Sequence, residues 1–186
     1  IAEAKKVFAV TRRLMPYEKY AALMQMSREL ADRAEEAAKI ICEEAGKPIH
    51  DARVEVQRGI HTLELSAEVA KGLPGEEYDL GQRPYSKNHR AIIRRFPIGP
   101  VAGIVPFNFP LNLALHKVGP ALAMGNPIII KPASQTPLSA LFIAELFDHT
   151  NYPTAALSAL PCSREVGNIL VTDERIKLLS FTGSDA

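Results

Sequence analysis

Tryptophan is absent, and cysteine nearly so: the 186-residue chain carries only Cys42 and Cys162, 120 positions apart. No CxxC occurs, so cysteine alone builds no metal centre, and such sparse usage fits a reducing cytosol. Histidine is equally thin. His50, His61, His89, His116 and His149 form neither HxxxH nor HExxH, so a metal enzyme is not expected. Excess charge of either sign is also missing. With 22 basic and 21 acidic residues, net +1, there is no bulk electrostatic reason to bind nucleic acid or an anionic membrane. No apolar run approaches the ~18 residues of a membrane span. The opening IAEAKKVFAV lacks the long apolar stretch of a secretory leader. A cytoplasmic protein of one domain, or two small ones, is expected.

What is present is 47% hydrophobic residues, punctuated by 14 Pro and 11 Gly, enough for an ordinary globular core. Its distribution is uneven. Residues 1–90 hold 30 charged side chains and residues 91–186 only 13. The charged front reads as helical. A short helix spans Ala2 to Arg13. From Tyr17 to Ala45 one apolar stripe (Tyr20, Leu23, Met24, Leu30, Ala34, Ala37, Ile40, Ile41) predicts a single long helix. Gly46, then Lys47-Pro48, stops it. A further helix over Asp51–Lys71 turns Val54, Ile60, Leu63 and Ala67 inward, and Gly72-Leu73-Pro74-Gly75 ends it. A polar stretch, Glu76–Asn88, leads to a strand over His89–Phe96.

The apolar back alternates short Val/Ile runs with helical patterns. Strands are expected at Val101–Val105, Pro127–Lys131, Ala155–Leu160 and Lys177–Phe181, and helices at Leu113–Met124, Pro137–His149 and Glu165–Val171. Strands joined by helices form βαβ crossovers and hence a parallel sheet. Near-continuous Val/Ile runs suit a sheet covered on both faces. In such a sheet ligands bind beyond the carboxyl ends of the strands. Those ends carry Pro106-Phe107-Asn108-Phe109-Pro110, Lys131-Pro132-Ala133-Ser134-Gln135-Thr136-Pro137 and Thr182-Gly183-Ser184. Amide donors, one lysine, hydroxyls and a close backbone approach suit a phosphate-bearing cofactor. Neither GxGxxG nor GxxxxGK[ST] occurs. Taken singly, Asn108 reads as a turn residue, Lys131 and Lys117 as solvated charges, His116 as a packed or surface histidine, and Cys42 as a small core hydrophobe.

Together, the segments Pro100–Pro110, Gly125–Pro137 and Phe181–Ser184, with Glu44-Ala45-Gly46-Lys47-Pro48 after a long helix, resemble the NAD(P)-dependent aldehyde dehydrogenase superfamily, of the lactaldehyde and semialdehyde kind. The resemblance runs over essentially the whole chain. It implies an α/β fold: a helical front (1–90) belonging to the cofactor-binding domain, a linking strand (91–100), and part of a doubly wound, Rossmann-type parallel sheet (101–186). It implies oxidation of a small aldehyde to an acid with NAD or NADP, through a cysteine thiolate and a glutamate-activated water. Asn108 is implied as a side-chain donor of the oxyanion hole and Lys117 as a proton-relay lysine. Cofactor contacts are implied for Val105, Pro106, Phe107, Lys131, Ser134, Gly167, Phe181, Thr182, Gly183 and Ser184, and no metal.

The departures carry information. Phe107 and His116 stand where members usually or often have Trp. Ser134 stands where NAD-preferring members often have Glu, which leaves room for a 2′-phosphate and makes NADP plausible. Ser163 replaces a glycine near the adenine. The family's catalytic cysteine and glutamate match no segment here, and neither Cys42 nor Cys162 lies in its nucleophile motif. The chain thus reads as the N-terminal part of a subunit, inactive alone, whose partners are the rest of that subunit and, at full length, further copies in a dimer or tetramer. Two other readings stay open: a non-catalytic nucleotide-binding or interaction module, and a helical interaction protein using residues 17–71.

Overall fold

The computed structural model describes residues 1–184. The charged front forms four helices: α1 (Ala2–Thr11), α2 (Pro16–Asp32), α3 (Ala34–Ala45) and α4 (Ile49–Ala70). The single helix expected over residues 17–45 is therefore two. The break is one residue wide, at Arg33 (φ −105°, ψ 23°). Backbone bonds continue on both sides of it, from Arg33 N to the Glu29 carbonyl and from Ala37 N to the Arg33 carbonyl. The guanidinium is held by Glu36 and Glu145, each at 2.8 Å, and lies 4.5 Å from the centre of the Phe142 ring. The apolar stripe runs straight through this joint, so periodicity carried no sign of it.

In α4 the buried positions are Ala52, Glu55, Val56, Gly59, Leu63, Ser66, Ala67 and Ala70, an i, i+3, i+4 row. Val54, expected inside, is 48% exposed. The true stripe contains a carboxylate, a glycine and a serine, so a count of apolar residues tilts toward the wrong face. The polar stretch after α4 supplies β1 (Glu76–Asp79), which pairs antiparallel with β2 (Arg90–Ile93). This second strand is the shorter, observed form of the one expected over 89–96.

The back half follows the expected alternation: β3 (Val101–Ile104), α5 (Pro110–Ala123), β4 (Ile128–Lys131), α6 (Leu138–Asp148), β5 (Leu157–Ala159), α7 (Arg164–Thr172) and β6 (Leu178–Phe181). Helix α5 begins three residues before the predicted start because Pro110 opens it, where its missing N–H costs nothing. The sheet is parallel throughout, in the order β5-β4-β3-β6. Residue alternation assigns its faces. Val101, Ile128, Ile130 and Leu157 pack with α2 to α6 in one large core. Ala102 and Ile129 face the other way, onto Ala4 of α1 and Leu170 of α7. Full burial of a side chain such as Ile129 contributes about 1.5–3 kcal/mol. The result is a doubly covered α/β sheet.

Of the glycines with positive φ, two close helices. Gly46 (φ +65°) closes α3, its N–H on the Cys42 carbonyl. Gly125 (φ +79°) closes α5 and accepts the buried Thr11 hydroxyl at its carbonyl, 2.8 Å away.

Candidate functional site

The strand order makes β3 the switch point: the chain passes from β3 through β4 to β5 on one side, then returns to place β6 on the other. A crevice opens beyond such a point. Here it is a cavity of about 640 Å³, lined by Ile104, Val105, Pro106, Phe107, Asn108, Leu113, Lys131, Ala133, Arg164, Phe181, Thr182, Gly183 and Ser184. The three separate segments singled out in the sequence therefore meet around one space. No carboxylate lines it among the described residues.

Lys117 reaches this region from behind. It sits on α5, almost wholly buried, and its ammonium donates to Thr182 Oγ1 (2.8 Å) and Ser180 Oγ (3.2 Å). Its stem passes over Gly103 of β3, where a Cβ would stand 3.2 Å from Lys117 Cδ. No ion pair is found for it among the described residues. Burial against two neutral hydroxyls holds its pKa below the ordinary lysine value.

Lys131 ends β4 half-buried, its ammonium 3.3 Å from the Pro132 carbonyl. Its stem lies across α7 at Gly167, where a Cβ would stand 2.6 Å from Lys131 Cε. The cation can lie there only because α7 has no side chain at that point. Gly167 is thus brought against Lys131 without lining the cavity itself. Ser134 is exposed, and only its neighbour Ala133 reaches the lining. Ser163, the residue in place of a glycine, caps α7 by accepting the Val166 N–H at 3.3 Å.

Arg164 is a site residue that the sequence reading missed. It is the first residue of α7 and lines the cavity with Lys131. The available signal was its place three residues before Gly167, in the segment opening a helix after β5. Two cations, no opposing carboxylate among the described residues and a glycine that makes room for one cation's stem form a cradle suited to an anionic, phosphate-bearing ligand.

A second surface lies on the helices in front of the sheet. A groove of about 580 Å³ between α4 and α5 is lined by His50, Arg53, Val54, Gln57, Arg58, His61, Thr62, Leu65 and His116. Arg53 is engaged by Glu35 at 2.7 Å. Arg58 stacks toward the Phe109 ring, 5.6 Å from its centre, and no ion pair is found for it among the described residues. No cluster of three metal-ligating side chains occurs among the described residues, and no helix there is long and apolar enough to cross a membrane.

Comparison with known proteins gives one answer. The family model described as "Aldehyde dehydrogenase family" matches residues 1–186. A 3-sulfolactaldehyde dehydrogenase of Priestia aryabhattai is 42% identical over 185 residues, 99% of this chain and 38% of that protein. A lactaldehyde dehydrogenase of Methanocaldococcus jannaschii is 38% identical, over 99% of this chain and 40% of its own. Among solved structures, aldehyde dehydrogenase 21 from Physcomitrella patens in complex with the reaction product succinate superposes with a TM-score of 0.95 at 44% identity. The match covers 98% of this chain and 38% of that one. The glyceraldehyde-3-phosphate dehydrogenase of Methanocaldococcus jannaschii complexed with NADP gives 0.91 at 37% identity, over 98% and 40%. The chain thus spans about two fifths of the length of the relatives it matches.

Proposed function

Because the chain belongs to the aldehyde dehydrogenase family, we propose that it is the cofactor-binding, N-terminal portion of a cytoplasmic, oligomeric subunit that oxidises an aldehyde to a carboxylic acid with NAD or NADP. In this reading residues 1–90 buttress the cofactor domain, 91–100 link, and 101–186 carry the dinucleotide-binding region. The nucleophilic cysteine and the base are assigned to the rest of the subunit, so the chain alone is expected to be inactive. The observation that carries the reading is the cavity at the strand ends, with an amide, two cations, a Thr-Gly-Ser turn and no carboxylate among the described residues.

When bound, the nicotinamide supplies the acceptor for the hydride leaving the aldehyde carbon. Asn108 donates its side-chain amide to the substrate oxygen as negative charge gathers there, a contribution of about 2.7–4 kcal/mol. Lys117, held by Thr182 and Ser180 and with a weakened hold on its proton, exchanges a proton at Nζ. Val105, Pro106, Phe107 and Phe181 give apolar walls, and Thr182, Gly183 and Ser184 approach the phosphates. Lys131 and Arg164 favour a 2′-phosphate and hence NADP. Ser134 contributes by bearing no negative charge near the ribose.

The substrate proposed is a short aldehyde bearing an anionic group. Arg58 and His116 line the groove between α4 and α5, and Arg58 lies against the Phe109 ring; a relative is named for 3-sulfolactaldehyde. Titration of NADP and NAD into the protein, by calorimetry, tests the cofactor reading. Arg164→Ala is expected to weaken NADP by about 1.5–3 kcal/mol, the worth of one charged hydrogen bond, and to leave NAD almost unchanged. Equal loss for both cofactors removes Arg164 from the 2′-phosphate. Absence of binding by either would overturn the assignment of the cavity.

A further inference from the structure

Glu55 lies in α4 between Val54 and Val56, and its side chain is 0% exposed. A carboxylate taken fully out of water is tolerated only when its lone pairs are filled. Its Oε1 accepts the backbone N–H of Leu111 (3.0 Å) and of Asn112 (3.1 Å). These are first-turn donors of α5 with no partner inside that helix. The residue before the helix, Phe109, has no side-chain oxygen to cap them. Glu55 therefore caps α5 from a different helix. Its Oε2 accepts from Lys47 Nζ at 2.5 Å.

Lys47 does a second thing. Its ammonium also donates to the backbone carbonyl of Asn108, 2.7 Å away, and stands 4.0 Å from the centre of the Phe109 ring. Lys47 is itself held between the left-handed Gly46 and Pro48, which closes α3 and opens α4. The peptide that carries Asn108 is thus gripped at its carbonyl, at the next ring and at the two amides beyond. The Asn108 side chain makes no hydrogen bond to the protein among the described residues, so its aim depends on its backbone.

We propose that Lys47 and Glu55 are positioning residues that act through Asn108, fixing where its amide points into the cavity. This rests on the oxyanion-hole reading of Asn108, and the test separates the two.

The first arm is backbone 15N relaxation, which needs no activity. Lys47→Met should lower the order parameters of the 107–109 amides from the rigid range toward the flexible one and leave Leu111 and Asn112, still capped by Glu55, unchanged. Lys47→Arg should restore the wild-type pattern. Unchanged order parameters over 107–109 would overturn the proposal whatever the enzyme does.

The second arm is a kinetic cycle in the full subunit that carries this chain. Lys47→Met, and Lys47→Met/Glu55→Gln where the single change at Glu55 fails to fold, should lower kcat about 10- to 100-fold, the scale of an ångström-level misplacement. The Kd for NADP should stay within twofold. The same change in an Asn108→Ala background should cost less than threefold, because the group being positioned is gone. Full additivity with Asn108→Ala, or a lowered Tm with kcat intact, would overturn it and leave a merely structural cap. If Asn108→Ala itself keeps wild-type kcat, the oxyanion-hole reading falls, and the catalytic half of the proposal with it. The relaxation arm then still reports whether the loop is gripped.

Discussion

Alanine at Gly125 should cost far more than alanine at two other glycines, for reasons that can be separated. Gly125 has φ +79°, and a Cβ there would stand 2.7 Å from the Thr11 carbonyl oxygen, 3.4 Å from its carbon and 3.6 Å from Arg12 Cα. The left-handed conformation alone costs an L-residue about 1–2 kcal/mol. The steric part adds about 1–3 kcal/mol, the usual penalty of overpacking, because the atoms met are backbone and cannot rotate away. Separating them would also stretch the bond from the Thr11 hydroxyl to the Gly125 carbonyl. Gly46 has φ +65° with nothing within 4 Å, so Gly46→Ala carries the conformational cost alone. Gly72 lies outside the left-handed region and also has open space. Gly72→Ala should therefore stabilise by about 0.4–1 kcal/mol, through lower entropy of the unfolded chain. Urea unfolding followed by circular dichroism gives the three differences, provided the slopes agree. The expected order of stability is Gly72→Ala, wild type, Gly46→Ala, Gly125→Ala. Equal midpoints for the last two would refute the steric argument and the close seating of α1 on the end of α5.

Lys117 predicts a pH slope. Below its lowered folded-state pKa both states hold the proton; between that value and the ordinary one near ~10.4 the unfolded chain holds more, so stability rises with pH in that window. Lys117→Met should remove this rise on the alkaline side, below the ordinary lysine value, and equal slopes in the two proteins would sink the buried-ammonium account. Ser163→Ala deletes the side-chain cap of α7 and should cost about 1 kcal/mol, with faster exchange of the Val166 amide; an unaltered Val166 would show the cap to be idle.

The centre of the parallel sheet was legible because β3 and β4 are short Val/Ile-bearing runs bounded by Pro and Gly, and such runs have few other homes. β1 was not, since Glu76-Glu77-Tyr78-Asp79 is exposed throughout and owes its conformation to pairing with β2 rather than to burial. The joint at Arg33 escaped because both helices keep the same stripe. At the site, the loop residues were readable from where strands end. Arg164 was not, since a cation beside a cap looks like any helix-opening charge until β4 brings Lys131 alongside it. Glu55 was the hardest case. A carboxylate between two valines reads as a surface charge, and only the crossing of α4 with α5 shows that it faces inward.

The pairing of β3 with β6, from Val101–Leu178 to Ile104–Phe181, joins more distant chain positions than either other strand pairing in the sheet, and this bears on the order in which the molecule acquires its parts. Contacts of long sequence separation form after the loop between them has been closed at an entropic cost. Strand β6 is thus expected to dock on a scaffold of β3, β4 and their helices that is already in place. Ser180 lies within it and Thr182 follows directly, so the Lys117 ammonium stays hydrated until that moment. The wall of the cavity that carries Thr182 is then the last part of the described sheet to form.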